Sequence, residues 1–464
     1  MIGSQPLKVP SRDALTGEAF ALADLIIHTY SSEEGGIYET VDVADGRVLD
    51  SRCAVDELGD YIQYIIYLGI LTGEKAYVTW GIRVLNAVAR NYQSDKGLFF
   101  TYPLHRGGMF KNNLLSLNNA DTITGLVSAY MYTADPSIKT LIHRFIEGTF
   151  AHFTKDTYLT YGYLLGDRLP VSLSSLLFTG YFIEEALTFM ECTGDHDYLE
   201  QVDRVIHRNL RDPYFLKYGV FQARIPVGVS GFFWRFLYRA TKGEDLRTTF
   251  LVKDNIYFLF ALLQYARFQK DASLVKMITK VYDCFMETFS VDGILYNRWN
   301  PVQGIKGGPS PLALSHSLME LQLDLFHELG DERFLRDAVR YADRWLKRRS
   351  ALGVIHETVH PNETYGLLDP NVDFTINLFK LSEKTGDTDY LERALEIVSA
   401  VIEHFKAPAG YYWKIHTEIG TPLQTRIETK YLGLLLKLFL VAMECIHKRR
   451  IFENRLTRNL AKDR

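Results

Sequence analysis

Apolar and polar residues alternate along this chain in two distinct rhythms that repeat about every 60 residues. Stretches such as YLERALEIVSAVIEHF (390–405) place apolar side chains at i, i+3, i+4 and i+7, the signature of a helix with one wet face. Stretches such as YIQYIIYLGIL (61–71), FTGYFIEEALTFM (178–190) and DNIYFLFALLQYA (254–266) are apolar almost all round, which predicts helices buried on nearly every side. The two kinds alternate, so each unit pairs an outer helix with an inner one.

Two markers punctuate the alternation. Inner helices end in a short polar turn: LTGEKAY (71–77), YTADPSI (132–138), CTGDHDYL (192–199), LGDERFL (329–335) and KTGDTDYL (384–391), with FQKDASL (268–274) a weaker copy. Outer helices end in Gly, then aromatic or apolar residues, then usually Pro. Gly36, Gly97, Gly162, Gly219, Gly293, Gly353 and Gly410 mark these segments at intervals of 61, 65, 57, 74, 60 and 57. Gly ends a helix in the left-handed region, extended residues cross a rim, and Pro stops the strand.

Seven inner helices are predicted, near 54–72, 113–133, 174–193, 250–270, 310–329, 368–385 and 426–447. An open solenoid would expose its concave side, and these inner helices are too apolar for that. The fold class expected is all-α: an α/α toroid of six to seven helical hairpins with short extended rim segments. It forms a single domain over 1–447, followed by a basic C-terminal tail, 448–464. The long 74-residue interval holds an insertion, VSGFFWRFLYRATKGEDLRTTF (229–250), read as a lid hinged at Gly228 and Gly231 or as an extra packing helix.

Composition narrows the class. Lys and Arg number 52 against 56 Asp and Glu, a net charge of −4, so nucleic acid is not an expected partner. Apolar residues make up 47% and charged residues 23%, which excludes a disordered chain. The longest apolar run (431–446) is broken by Lys437, so no membrane span is expected. Cys53, Cys192, Cys284 and Cys445 are scattered, and the N-terminal segment lacks an apolar leader core. Both point to a cytoplasmic location. HETVH (356–360) lies in a rim segment rather than a helix, so no metal is expected there, and no cofactor motif is present. The sequence leaves the oligomeric state open.

Chemistry is expected where the long rim segments lead into inner-helix N-termini, a funnel of converging helix dipoles. Polar residues cluster there: Asp56 and Asp60, Asn118, Asn119 and Asp121, Asp254 and Asn255, His316 and Glu320, Asp369, Asn371 and Asp373, then Arg426, Glu428 and Lys430. Asp369, directly before Pro370, reads as a helix N-cap. Asp56, Asp60, Asp121, Asp373 and Glu428 are the catalytic candidates, because a carboxylate in an apolar segment needs a partner or a shifted pKa. Planar polar and aromatic groups suited to sugar rings supply the substrate-binding candidates. These are His105, Arg106, Arg298, Trp299, His316, Glu320, Tyr365, Trp413 and Arg426.

The repeats, the TGDxxYL turn and the rim segments resemble the α/α-toroid carbohydrate-active superfamily, often called six-hairpin glycosidases, over most of the chain. Its members include unsaturated glucuronyl hydrolases, seven-hairpin mannosidases, uronate lyases and N-acylglucosamine 2-epimerases. The epimerases carry His and Glu on an inner helix and Glu-Thr-Lys near the last one. Here SHSLMELQL holds His316 and Glu320, and RIETKYLG holds Glu428, Thr429 and Lys430. The resemblance implies a sugar or oligosaccharide substrate. The first expectation is a glycoside hydrolase with two carboxylates. The alternatives are a sugar epimerase or uronate lyase abstracting a proton through His316 or a rim His or Tyr, and a non-catalytic glycan- or protein-binding repeat protein.

Overall fold

The computed structural model describes residues 9–32, 36–103, 112–242, 245–246, 249–359 and 363–448. Helix makes up 62% of it. In chain order the helices are α1 (Arg12–Leu25), α2 (Glu57–Thr72), α3 (Lys75–Tyr92), α4 (Ser116–Thr133), α5 (Pro136–Gly148), α6 (Leu176–Thr193), α7 (Leu199–Leu210) and α8 (Pro213–Tyr218). There follow α9 (Gly228–Lys242), α10 (Val252–Gln269), α11 (Ala272–Phe289), α12 (Leu312–Leu329), α13 (Glu332–Leu346), α14 (Leu368–Thr385), α15 (Thr388–Phe405) and α16 (Lys430–Lys448). The seven expected inner helices are α2, α4, α6, α10, α12, α14 and α16. Burial separates the two kinds as the apolar rhythm predicts: 13 of the 18 residues of α10 are buried, against 5 of the 15 of α13.

The chain divides into two compact units, Met1–Val84 with Pro311–Arg464, and Leu85–Ser310. In the first, α16 packs between α2 and α14, and α14 packs on α12; α1, α15 and α13 back this row. Segments far apart in sequence meet here. Strand Thr40–Asp42 pairs antiparallel with Arg426–Glu428, and the Thr429 hydroxyl donates to the Tyr38 carbonyl at 2.6 Å. In the second unit α6 packs between α4 and α10, backed by α5 and α11. The rim segments form small antiparallel sheets of two to four strands.

The TGD turn has a simple physical cause. Its Gly closes the inner helix in the left-handed region, as at Gly194 (φ 71°), Gly330 (φ 65°) and Gly386 (φ 70°). Its Asp then caps the outer helix. The Asp331 carboxylate accepts from the Arg333 amide at 3.0 Å and Asp387 from the Asp389 amide at 2.9 Å. In two copies the left-handed position is held instead by Ala134 (φ 52°) and Lys270 (φ 53°).

The rim glycines have a different reason. Gly97 has φ 79°, and a Cβ there would sit 2.2 Å from the Arg144 carbonyl oxygen. The insertion forms α9, which lies against strand Leu169–Ser174. Gly231 serves close packing there, since a Cβ would meet the Pro226 backbone at 2.7 Å.

A non-glycine residue in the left-handed region costs roughly 1 kcal/mol. Lys270→Gly should therefore raise stability by up to about 1 kcal/mol despite the added chain entropy of glycine. Denaturant unfolding measures it; a clear loss of stability would contradict the assigned strain.

Candidate functional site

Three inner helices of the first unit carry polar side chains that stay partly accessible among buried neighbours. These are His316 and Glu320 on α12, Asp369 and Asp373 on α14, and Tyr431 and Lys437 on α16. Each of the first two pairs is spaced i, i+4 and so shares one helix face. His316 Nε2 lies 3.5 Å from Asp373 Oδ2, and Lys437 Nζ lies 4.0 Å from Asp373 Oδ1. Asp373 thus sits between a histidine from one neighbouring helix and a lysine from the other.

One turn further along, Lys380 Nζ donates to Glu320 Oε1 at 3.1 Å. Burial pushes the Glu320 carboxyl up, but Lys380 and then Lys437 outweigh it and hold it below the usual carboxylate range. The Asn377 side chain donates to the His316 carbonyl at 3.2 Å, fixing α14 against α12.

Asp369 has the opposite character. Burial pushes its carboxyl up to about 6; the Trp413 hydrogen bond pulls it down and the Asp373 charge pushes it up. Trp413 Nε1 donates to Asp369 Oδ1 at 2.8 Å, and the indole stacks on Tyr431 at 5.8 Å with 12° between the planes. The N-cap position of α14 is Leu367, so Asp369 is not the cap that Asp-Pro suggested. The helix begins earlier because strand Tyr365–Leu367 runs straight into it, and Asp369 becomes a functional candidate that sequence reasoning passed over.

Glu357 ties the rim segment to the start of α12, its carbonyl accepting from the Leu312 amide at 2.9 Å. It is 2% exposed, its Oε1 accepts from the Ala313 amide at the start of α12 at 3.0 Å, and among the described residues its Oε2 has no hydrogen-bond partner. Burial, with the Asp369 charge in addition, pushes its carboxyl up to about 8.

The remaining sequence candidates are placed as follows. Tyr365 lies on the strand leading into α14, with Lys414 Nζ 3.8 Å from its ring centroid. Glu428 pairs with Lys430 at 2.8 Å on the rim strand rather than in an apolar segment, and Arg426 on the same strand is exposed. Asp56 precedes α2, half-buried. The Asp60 side chain, His105, Arg106 and His360 lie outside the described residues. In the second unit Asp121 is half-buried in α4, Arg298 is exposed, and Trp299 packs edge-on against Phe250 and Tyr218 at 5.1 and 5.3 Å. Asn119, Asn255 and Asn371 hold backbone rather than facing a ligand. Lys380 and Lys437 were not among the candidates, although a lysine inside an apolar inner helix (LFKLS, LLKLF) is the signal that could have found them.

Among the described residues no group of three or more His, Cys, Asp or Glu is placed to hold a metal ion. No helix among them is long and apolar enough to cross a membrane.

Burial of Glu357 couples stability to pH. Its folded-state pKa lies above that of the unfolded chain, so its contribution is complete below about 4.5 and is lost as pH rises through about 8. Thermal melts should show a Tm falling between these limits, and Glu357→Gln should flatten that fall. An unchanged slope would mean that Glu357 is ionised in the fold.

No family model and no curated sequence matches the chain. Solved structures do. An α-1,2-mannosidase from Trichoderma reesei aligns with TM-score 0.60 and 14% identity, covering 93% of each chain. A D-mannose isomerase aligns with TM-score 0.57 and 10% identity over 93% of this chain and 98% of that one. A cellobiose 2-epimerase from Bacillus thermoamylovorans aligns with TM-score 0.55 and 12% identity over 92% and 99%. At these identities the likeness is one of architecture, and the chain has the α/α-toroid fold that these carbohydrate-active enzymes share.

Proposed function

We propose that the chain is a carbohydrate-active enzyme that moves a proton at a carbon next to a sugar carbonyl, as an isomerase or epimerase does. The observation that carries this reading is the His316–Asp373 contact between α12 and α14. A carboxylate close to a histidine favours the charged form of the ring, and so favours its taking up a proton as a general base. Lys437 offsets the Asp373 charge from the other side. His316 would take the proton at Nε2, the nitrogen that faces Asp373, because its Nδ1 is buried. Asp369, whose carboxyl stays protonated up to about pH 6, would donate to the carbonyl oxygen as negative charge develops there. Trp413 and Tyr431 offer a flat aromatic surface beside Asp369 for a sugar ring.

A second reading, glycoside hydrolysis, is favoured by one observation: Asp369 and Asp373 are two carboxyl groups in unlike environments, one pushed up by burial and the other set between His316 and Lys437. Both stand on one face of one helix. That placement is poorly suited to flanking a glycosidic bond from two sides, as paired-carboxylate hydrolysis requires.

Aldoses, ketoses and β-linked disaccharides incubated in deuterated water separate the two. Deuterium at the carbon next to the carbonyl, followed by NMR, is expected. Release of new reducing ends without exchange would overturn the proton-transfer reading in favour of hydrolysis. His316→Gln and Asp373→Asn should each lower kcat by roughly 10² or more. The sign of the pH effect follows from Asp369: activity that needs its protonated form should fall as pH rises through about 6, and Asp369→Asn should remove that falling limb.

A further inference from the structure

The second unit carries a polar face that the reading above does not use. Arg224, on the rim segment before α9, is mostly buried and donates through Nε to the Tyr161 hydroxyl at 2.6 Å and through Nη1 to the Tyr238 hydroxyl at 3.0 Å. Its guanidinium also lies 5.2 and 5.5 Å from the centroids of the same two rings. Among the described residues no carboxylate forms a salt bridge with Arg224; Asp254 reaches it only through its field.

Lys253 stands two residues before Asn255, whose carboxamide clasps the backbone of Phe221 three residues ahead of Arg224; its Nζ lies 5.6 Å from the Tyr257 ring centroid, and it too has no carboxylate partner among the described residues. Tyr257 stacks on Tyr181 with centroids 4.4 Å apart. Asp254 is buried at 8% exposure. Burial pushes its carboxyl up to about 6, against the pull of Arg224 and Lys253, so the charge it offers the two cations is incomplete near that pH.

The scaffold fixes this arrangement. Tyr161 and Tyr238 rest on a small apolar cluster of Val171, Leu173 and Leu246. Helix α9, which delivers Tyr238, is pinned by the Trp234 indole donating to the Pro170 carbonyl at 3.0 Å and by the Arg235–Asp245 ion pair at 2.5 Å. Burying a guanidinium costs free energy unless its donors and its charge are both met. Two tyrosine hydroxyls accept from Nε and Nη1, leaving Nη2 and the net charge. Arg presents a planar fork that matches oxyanions, and aromatic faces suit sugar rings.

We propose that Arg224 and Lys253 form a binding site for the oxyanion group, carboxylate or phosphate, of an acidic sugar whose ring lies on the Tyr181–Tyr257 pair. Tyr161 and Tyr238 position Arg224. This goes beyond the proton-transfer reading and does not depend on it, because the test is binding rather than turnover.

Calorimetric titration of the full chain with D-glucuronate, D-glucose 6-phosphate and D-glucose at low ionic strength tests the proposal. At least one acidic sugar should bind, more tightly than glucose and with affinity that falls with added salt. Binding of glucuronate alone would identify the group as a carboxylate, of the phosphate alone as a phosphate, and of both as a general oxyanion site. Arg224→Gln should weaken binding by about tenfold or more. Lys253→Gln, at a half-buried position, should weaken it severalfold. No binding of either acidic sugar, equal binding of glucose, or affinity unchanged in Lys253→Gln would overturn the site. Repeating the titration with His316→Gln keeps the two proposals apart: binding persists there whether or not the catalytic reading holds.

Discussion

A single side-chain device, an asparagine near the start of an inner helix, fixes how rim and helix meet in three of the repeats. Asn119, Asn255 and Asn371 each stand four residues after the N-cap of their helix. Each carboxamide oxygen accepts from the backbone amide of a rim residue, Phe99 at 2.9 Å, Phe221 at 2.7 Å and Ile355 at 2.8 Å. Each carboxamide nitrogen donates to the carbonyl of the same residue and to the carbonyl four positions earlier in its own chain. The rim residues are buried, so their backbone polar groups must be met inside the protein. One carboxamide meets both and at the same time sets the height at which the rim crosses the helix.

That constraint decides what else the inner-helix N-termini can do. The asparagines are spent on structure, and residues around them are left partly accessible: Asp369 and Asp373 beside Asn371, Lys253 and Tyr257 beside Asn255. In α12 the equivalent place is held by Ser315, which bonds to the Pro311 carbonyl and to the Tyr341 hydroxyl of the outer helix. His316 follows directly after it. The repeat thus supplies a fixed frame, and the chemistry varies at the positions next to the fixed residue, as expected of a scaffold that mounts sites rather than defining one.

The environment of each carboxyl follows from its neighbours on other helices. Asp369, Glu357 and Asp254 all have carboxyls pushed up by burial, whereas Glu320 is held down because Lys380 and Lys437 outweigh its burial. Nothing local distinguishes them: Glu320 and Asp369 each sit in a helical stretch rich in leucine and phenylalanine. A pKa depends on charges within a few ångströms, and the lysines that decide the matter come from residues 60 and 117 positions away in sequence.

The sequence by itself determined the repeat. Period, helix type and turn chemistry are local: a left-handed Gly must end a helix, an Asp two residues before a free amide caps the next, and an apolar stripe shows how much of a helix is buried. All seven inner helices were legible for that reason, and so was the concentration of polar groups at their starts. The sequence could not sort those groups. Asn371 and Asp369 stand two residues apart at one helix start, yet one clamps a rim strand and the other meets Trp413, because helix phase directs them to different neighbours. Glu428 looked buried and lies on a rim strand, because the pairing of Arg426–Glu428 with Thr40–Asp42 depends on residues nearly 400 positions away. The contact on which the proposed function rests, His316 with Asp373, joins two helices separated by a full repeat, and only their packing brings the imidazole and the carboxylate together.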